Sequence, residues 1–163
     1  MPVLTDVEIA EFLAEPGHLA RVATVDADRV PLVVPVWFIF EEGKIFITPR
    51  ERSEWWKHIQ KHPYVCIVID EEAQPWRKLM VRGPVEIVHG IGNDDQWRDQ
   101  YRRIACRYVA EREADAYLVN TRGEPRALVA MSIEIAKTWR MPVRGEDSRQ
   151  VWAKRYYHTA TAP

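Results

Sequence analysis

The stretch ITPRERSEWWKH, Ile47 to His58, holds the densest set of chemically useful side chains in this 163-residue sequence. Thr48 and Ser53 offer hydroxyls. Arg50 and Arg52 offer forked guanidiniums that match phosphate oxygens two at a time, and Lys57 adds an ammonium. Trp55 and Trp56 offer flat apolar faces. The segment follows a strand pattern and opens a helix pattern, and the free N–H groups of a helix start attract an anion. Together these residues suit a ligand with a phosphate and a planar ring. A plainer arrangement accounts for the same letters: Ser53 caps a helix, Trp55, Trp56 and Ile59 face a core, and the charges are solvated. The segment contains no glycine, which excludes a glycine-rich phosphate loop.

Other chemistry is thinly represented. His58 and His62 stand four apart, a spacing that puts two metal ligands on one helix face, but no third ligand is visible nearby. Cys66 and Cys106 are too few for a disulfide framework and form no CxxC pair, so both read as reduced thiols. WRDQYRRIACRY sets Arg98, Arg102, Arg103 and Arg107 mostly opposite an apolar stripe, the pattern of a solvated helix face. Their sharper use would be to hold an anionic cofactor tail. Glu8 and Glu11 read as helix-surface residues. No Ser-His-Asp or Cys-His spacing appears, and GxSxG is absent. A net charge of -1 does not favour nonspecific nucleic-acid binding. No apolar run is long enough to span a membrane, and no basic-then-apolar leader opens the chain, so the expectation is a cytoplasmic protein without a membrane partner.

The elements that must position these residues read as follows. Thr5 and Glu8 have capping-box spacing, followed by the apolar stripe Ile9, Phe12, Leu13 and the stop Pro16-Gly17. Three strands in a meander come next: Leu19 to Val25, Val30 to Phe40, and Lys44 to Thr48. A helix runs from Ser53 to before Pro63, then a buried strand from Tyr64 to Asp70. RKLMVRGPVEIVHG alternates with period two, with Leu79, Val81, Val85 and Ile87 on one face and a bend at Gly83-Pro84. A helix capped by Asn93 carries Trp97, Tyr101, Ile104, Ala105, Tyr108 and Val109, and a shorter one covers Ala114 to Asn120. Arg126 to Trp139 reads as the last long strand, with Val129, Met131, Ile133, Ile135 and Trp139 on one face. The expected architecture is mainly β with flanking helices. A doubly wound parallel sheet would need crossover helices that are missing; six antiparallel strands in a closed or nearly closed barrel fit better. One domain spans 1–163, with a tail from about 141 to 163 docking through Trp152, Tyr156 and Tyr157.

HLARVATVDADRVPLVVPVWFIFEEGKIFITP, then RSEWWKHIQKHPYVCIVID and KLMVRGPVEIV, resembles the pyridoxamine 5′-phosphate oxidase-like family, the flavin-binding split barrels. The carrying positions are Pro31 and Pro35, Thr48, Arg52-Ser53 and His62-Pro63. The resemblance implies a homodimer of six-stranded antiparallel split barrels that binds FMN at the dimer interface. The deazaflavin coenzyme F-420 is the alternative, and haem occurs occasionally. It implies that Pro35, Val36 and Trp37 pass beside the ring. Thr48, Arg50, Arg52 and Ser53 would hold the phosphate, Lys57 would assist, and Trp139 would approach from the partner subunit. The implied activity is hydride transfer to or from a small planar substrate; the alternative of another class is storage or sensing of a flavin, deazaflavin or haem without turnover. One departure stands out. Many relatives carry a phosphate-contacting lysine two residues after the serine, and here that place holds Trp55.

Overall fold

The computed structural model describes residues 3–142. The first helix, α1 (Asp6–Ala14), is held by the expected capping box: Glu8 N–H donates to Thr5 Oγ1 at 3.3 Å, and Thr5 N–H donates to Glu8 Oε2 at 2.7 Å. Phe12 and Leu13 leave its inner face for the core.

Among the described residues nine strands follow: β1 (Ala20–Val25), β2 (Pro31–Val36), β3 (Phe38–Glu41), β4 (Lys44–Ile47), β5 (Tyr64–Asp70), β6 (Lys78–Pro84), β7 (Glu86–His89), β8 (Leu128–Ser132) and β9 (Lys137–Trp139). They form two antiparallel sheets, one ordered β2-β1-β5-β6-β9 and the other β3-β4-β8-β7. The architecture is therefore mainly β with flanking helices. The six continuous strands expected from the sequence are not what forms. Three of those segments break and contribute to both sheets, and no hydrogen-bonded ladder joins the two sheets among the described residues.

Each break has a local cause. At Trp37 the chain leaves the first sheet, and the Phe38 N–H is taken by the Tyr108 hydroxyl at 3.1 Å. That hydroxyl donates in turn to the His18 carbonyl at 2.7 Å. Pro31 and Pro35 lack N–H groups, and β2 accordingly lies at a sheet edge. At Val85 the N–H turns to the Pro63 carbonyl at 2.9 Å, which separates β6 from β7. After Ser132 a turn closed by Ala136 N–H on the Ile133 carbonyl separates β8 from β9. The expected alternation fails at these corners: Ile135 is 68% exposed and Ile87 is 42% exposed.

The main core fills the space between the sheets, with Val22, Ile67 and Leu79 on one side and Phe38, Ile45 and Val129 on the other. The second sheet is covered on its other face as well, by α3 (Arg98–Cys106) and α4 (Glu111–Asn120). Ile39, Phe46, Leu128 and Ala130 meet Tyr101, Ile104, Ala114 and Leu118 there. Burial on both faces explains why β8 is apolar at successive positions rather than alternating.

Two helix expectations need correction. The segment from Asn93 is not one helix: a short 3₁₀ turn at Asp94–Gln96 precedes α3, and Asn93 makes no side-chain cap. Asp94 instead accepts the Arg126 backbone N–H at 2.8 Å. The shorter helix begins at Glu111, three residues before Ala114. Cys66 and Cys106 are free and half-buried. The expected docking of Trp152, Tyr156 and Tyr157 lies outside the described residues.

Candidate functional site

α2 (Glu54–Lys61) starts at Ser53, and its two tryptophans enter the core: Trp55 is 7% exposed and Trp56 4%. Ser53 occupies the cap position but caps nothing with its side chain. Its hydroxyl donates to the Arg50 carbonyl at 2.7 Å, which tightens the turn between β4 and α2. That turn faces a cavity of about 340 Å³ lined by Leu19, Pro35, Val36, Trp37, Thr48, Arg50, Ser53, Trp55, Tyr101, Tyr117 and Arg126.

Six of the residues singled out in the sequence thus meet at one place: Pro35, Val36, Trp37, Thr48, Arg50 and Ser53. Three do not line it. Arg52 is exposed, and no partner for it is found among the described residues. Lys57 is exposed and pairs with Glu54 at 3.1 Å. Trp139 lines a separate, wider groove of about 970 Å³ between α1, the β3–β4 turn and residues 132–139.

Tyr101, Tyr117 and Arg126 complete the cavity, and sequence reasoning missed all three. Tyr101 was absorbed into the apolar stripe of its helix. Arg126 stood at the start of a strand, yet a lone cation between Pro125 and the apolar run ALVAM was a signal that could have found it. Arg126 is only 5% exposed. Its guanidinium donates to the Tyr117 hydroxyl at 2.9 Å and to the Thr48 carbonyl at 3.3 Å, and lies 4.9 Å from the Tyr101 ring centroid. Arg50 donates to the same Tyr117 hydroxyl at 3.3 Å and pairs with Glu124 at 3.1 Å. Two guanidiniums therefore converge on one phenol oxygen.

The electrostatics follow from that geometry. Burial raises the Tyr101 hydroxyl well above the ordinary tyrosine range. Burial acts the same way on Tyr117, but the Tyr101 hydroxyl and the Arg50 and Arg126 guanidiniums outweigh it and hold Tyr117 below its usual value. The Tyr117 hydrogen bond holds Arg50 firmly protonated. One buried polar atom here has no partner, Arg126 Nε, while Tyr101 Oη is buried beside the Tyr117 hydroxyl. Buried unpaired groups cost about 1–3 kcal/mol each, and more when charged. Trp37 stacks on Tyr108 with ring centroids 5.0 Å apart, which fixes its plane at the cavity wall.

The arginines on and beside α3 are engaged within the chain. Arg102 pairs with Asp115, Arg103 with Glu41 and Arg98 with Asp95. Arg107 donates to the carbonyls of Leu13, Ala14 and Glu15 at the end of α1. His58 is buried with its Nδ1 2.9 Å from Thr24 Oγ1, and His62 stacks near Tyr64. Glu15, His18 and Glu71 stand close enough to share a cation. Arg77 already fills that role, bonded to both carboxylates at 2.6–3.0 Å. No described helix is long and apolar enough to cross a membrane.

A family model described as pyridoxamine 5′-phosphate oxidase matches residues 5–140. The chain belongs to this family. No curated protein matches the sequence. Among solved structures, an F-420 reductase is 24% identical, with 75% of this chain and 90% of that one covered and a TM-score of 0.55. A FAD-binding protein from Mesorhizobium loti is 16% identical, covering 84% and 93%, at 0.59. A haem storage protein from Vibrio cholerae is 19% identical, covering 86% and 91%, at 0.58. At these identities the likeness is one of fold.

The donor set fits a flavin-type cofactor. Thr48, Arg50 and Arg126 would offer hydroxyl and guanidinium donors to a phosphate, the Ser53 hydroxyl being spent on the Arg50 carbonyl, and Trp37 and Trp55 would offer apolar walls to a ring. The orphaned Arg126 Nε calls for an acceptor of that kind.

Proposed function

We propose that this chain binds a flavin-type cofactor, FMN first, in the cavity beneath β2 and the β4–α2 turn, and transfers hydride between it and a small planar substrate. The observation that carries this reading is the convergence of Arg50 and Arg126 on the Tyr117 hydroxyl, inside a cavity walled by Trp37 and Trp55. The bound flavin supplies the hydride chemistry. The chain's own residues bind, orient and exclude water. Arg50, Arg126 and Thr48 hold the phosphate end. Trp37, fixed by Tyr108, sets the plane of the ring, and Trp55 closes the side where relatives carry lysine. No general acid or base is required from the protein, in keeping with the absence of a catalytic constellation in the sequence.

A cavity of about 340 Å³ lies at the small end of the range for ligand sites, roughly 300–1,000 Å³. A tricyclic ring therefore needs further cover, and a second copy of the chain supplies it in this reading. The outer residues of β2, Pro31, Val33 and Pro35, are exposed and apolar beside the cavity, which supports a homodimer. Trp139 would then reach the ring only from the second copy. The F-420 alternative draws on the F-420 reductase fold, but Arg77, Arg98, Arg102 and Arg103, the cations its acidic tail would want, are committed to carboxylates. Haem is less favoured: no histidine lines the cavity among the described residues. Storage without turnover is the reading of another class, and Trp55 in the lysine position favours it.

Titration of the purified protein with FMN, F-420 and haem, followed by absorbance and fluorescence, tests the reading. Saturable FMN binding, with reduction of the bound flavin and its reoxidation by a quinone or unsaturated carbonyl, is expected. Binding of haem alone, or of nothing, contradicts it. Flavin binding without any turnover selects storage.

A further inference from the structure

The groove of about 970 Å³ between α1, the β3–β4 turn and residues 132–139 shares no residue with the flavin cavity. Its floor is apolar. Ile9, Phe40, Ile133, Ala136 and Trp139 line it half-buried, and all but Trp139 rest on the main core. The groove is therefore an uncovered end of that core, and a contiguous apolar surface of this kind marks an interaction site. Its exposed edge is acidic. Asp6, Glu42 and Glu134 stand there and make no ion pair or side-chain hydrogen bond among the described residues. Of the two lysines beside them, Lys44 is already held by Glu86 at 2.8 Å.

The chain that follows β9 complements this surface. Lys137, Thr138 and Trp139 form part of the groove wall, and Leu4 N–H donates to Thr138 Oγ1 at 3.0 Å. The Met141 N–H then donates to the Pro75 carbonyl at 2.7 Å, and Arg140 lies 4.0 Å from Glu8 of α1, so the chain leaves the fold beside the groove. From Ser148 to His158 the sequence reads SRQVWAKRYYH, with three aromatic rings, the cations Arg149, Lys154 and Arg155, and no acidic residue. Eight residues separate Pro142 from Val151 and reach about 30 Å when extended. α1, one wall of the groove, has nine residues and is about 14 Å long. The tether is ample, and one this short holds its segment at an effective concentration on the order of millimolar, which a second copy does not match in dilute solution. We propose that residues 151–158 of the same chain seat in this groove, with Trp152 and Tyr156 on the apolar floor and Lys154 and Arg155 facing Asp6, Glu42 and Glu134. The seated segment covers the open end of the core and leaves the flavin cavity untouched, so the inference stands independently of the flavin reading.

Hydrogen exchange of the full-length protein is compared with that of the full-length variant Trp152→Ser/Tyr156→Ser. Exchange is read in the groove segments 3–10, 39–44 and 132–139, with β5 as the internal reference. Both substitutions lie outside the described core, so the variant is expected to fold. The groove segments should exchange at least ~5-fold faster in the variant while β5 is unchanged. Glu42→Lys/Glu134→Lys and Lys154→Glu/Arg155→Glu should each speed the groove segments by roughly two- to fivefold. Their combination should restore most of the protection, because the charges then face each other with signs exchanged. Equal groove exchange in wild type and the Trp152→Ser/Tyr156→Ser variant overturns the proposal, as does a rise that β5 shares. Additive effects of the two charge reversals place the segment elsewhere and overturn it too. Protection that fades on about a hundredfold dilution gives the groove to a second copy's tail and overturns the seating within one chain.

Discussion

Arg50 and Arg52 are equivalent as letters in the sequence, and the structure makes them different. Arg50 lines the cavity and touches Tyr117 at 3.3 Å; Arg52 points to no described partner and lies outside the lining. Replacing each by alanine separates the two. The Arg50–Glu124 pair is about half exposed on both sides, so its loss should lower stability by no more than about 1 kcal/mol. Losing a charge-assisted contact to phosphate costs about 1.5–3 kcal/mol. At about 1.4 kcal/mol per tenfold, this predicts a roughly 10- to 140-fold weaker FMN affinity for Arg50→Ala. Arg52→Ala should change affinity by less than about threefold, the scale of a solvated charge near a site. Isothermal titration of both variants, with melting curves to confirm folding, reads the difference. Equal losses for the two, or an Arg50→Ala protein that is folded and binds FMN normally, would refute the cavity as the phosphate site.

Three further outcomes are expected. Trp55→Lys, which restores the residue common among relatives, should destabilise by at least about 3 kcal/mol, because Trp55 is 7% exposed and packs in the main core. It should not tighten FMN binding; a tenfold gain at unchanged melting temperature would contradict the role given to Arg126. Arg77→Met should cost about 3 kcal/mol by stranding the Glu71 carboxylate, whose side chain is 7% exposed. Burial pushes Glu71 up but its Arg77 bonds outweigh that, and Arg77 likewise holds Glu15 down, so both folded pKa values lie below 4.5. Their contribution is thus present above about pH 4.5 and lost as pH falls through the lowered folded values. Melting temperature against pH should therefore fall less steeply in acid for Arg77→Met than for wild type; parallel curves would refute the linkage. FMN affinity should weaken on the alkaline side, beginning below the ordinary tyrosine range. Tyr117, facing Arg50, Arg126 and Tyr101 with Glu124 behind Arg50, loses its donor proton and gains a charge there. Tyr117→Phe should remove that alkaline limb, and its persistence in the variant would assign it elsewhere.

The capping box, the spans of β1 and β5 and the helix start at Ser53 were legible because each depends on neighbours in the sequence. The bend at Gly83-Pro84, where β6 gives way to β7, was legible too, but the breaks at Trp37 and after Ser132 were not. At Trp37 the decisive partner of Phe38 N–H is Tyr108, seventy residues away, and a ladder bond moved to a distant hydroxyl leaves no local mark. The period of β8 was legible, with Val129 and Met131 on one face, but burial of its other face, Leu128 and Ala130, under α3 and α4 was not. The site divided along the same line. Thr48, Arg50 and Ser53 were legible in the turn that opens α2, and Pro35, Val36 and Trp37 through the family resemblance. Tyr101, Tyr117 and Arg126 come from α3, α4 and the entry to β8, and only tertiary packing brings them to the cavity. The opening segment proves to be both things at once: Trp55 and Trp56 are core residues, and the turn before them still presents Arg50 to the cavity.

The central claim is that this cavity, and not the wider groove beside Trp139, receives the phosphate end of a flavin. The most direct measurement is a crystal structure of the protein grown with FMN. The account predicts the phosphate within hydrogen-bond distance of Arg50 and Arg126, with Tyr117 donating to it and the ring leaving along Trp37 towards a second copy. A phosphate seated instead between Lys44, Lys137 and Trp139 in the wider groove would contradict it.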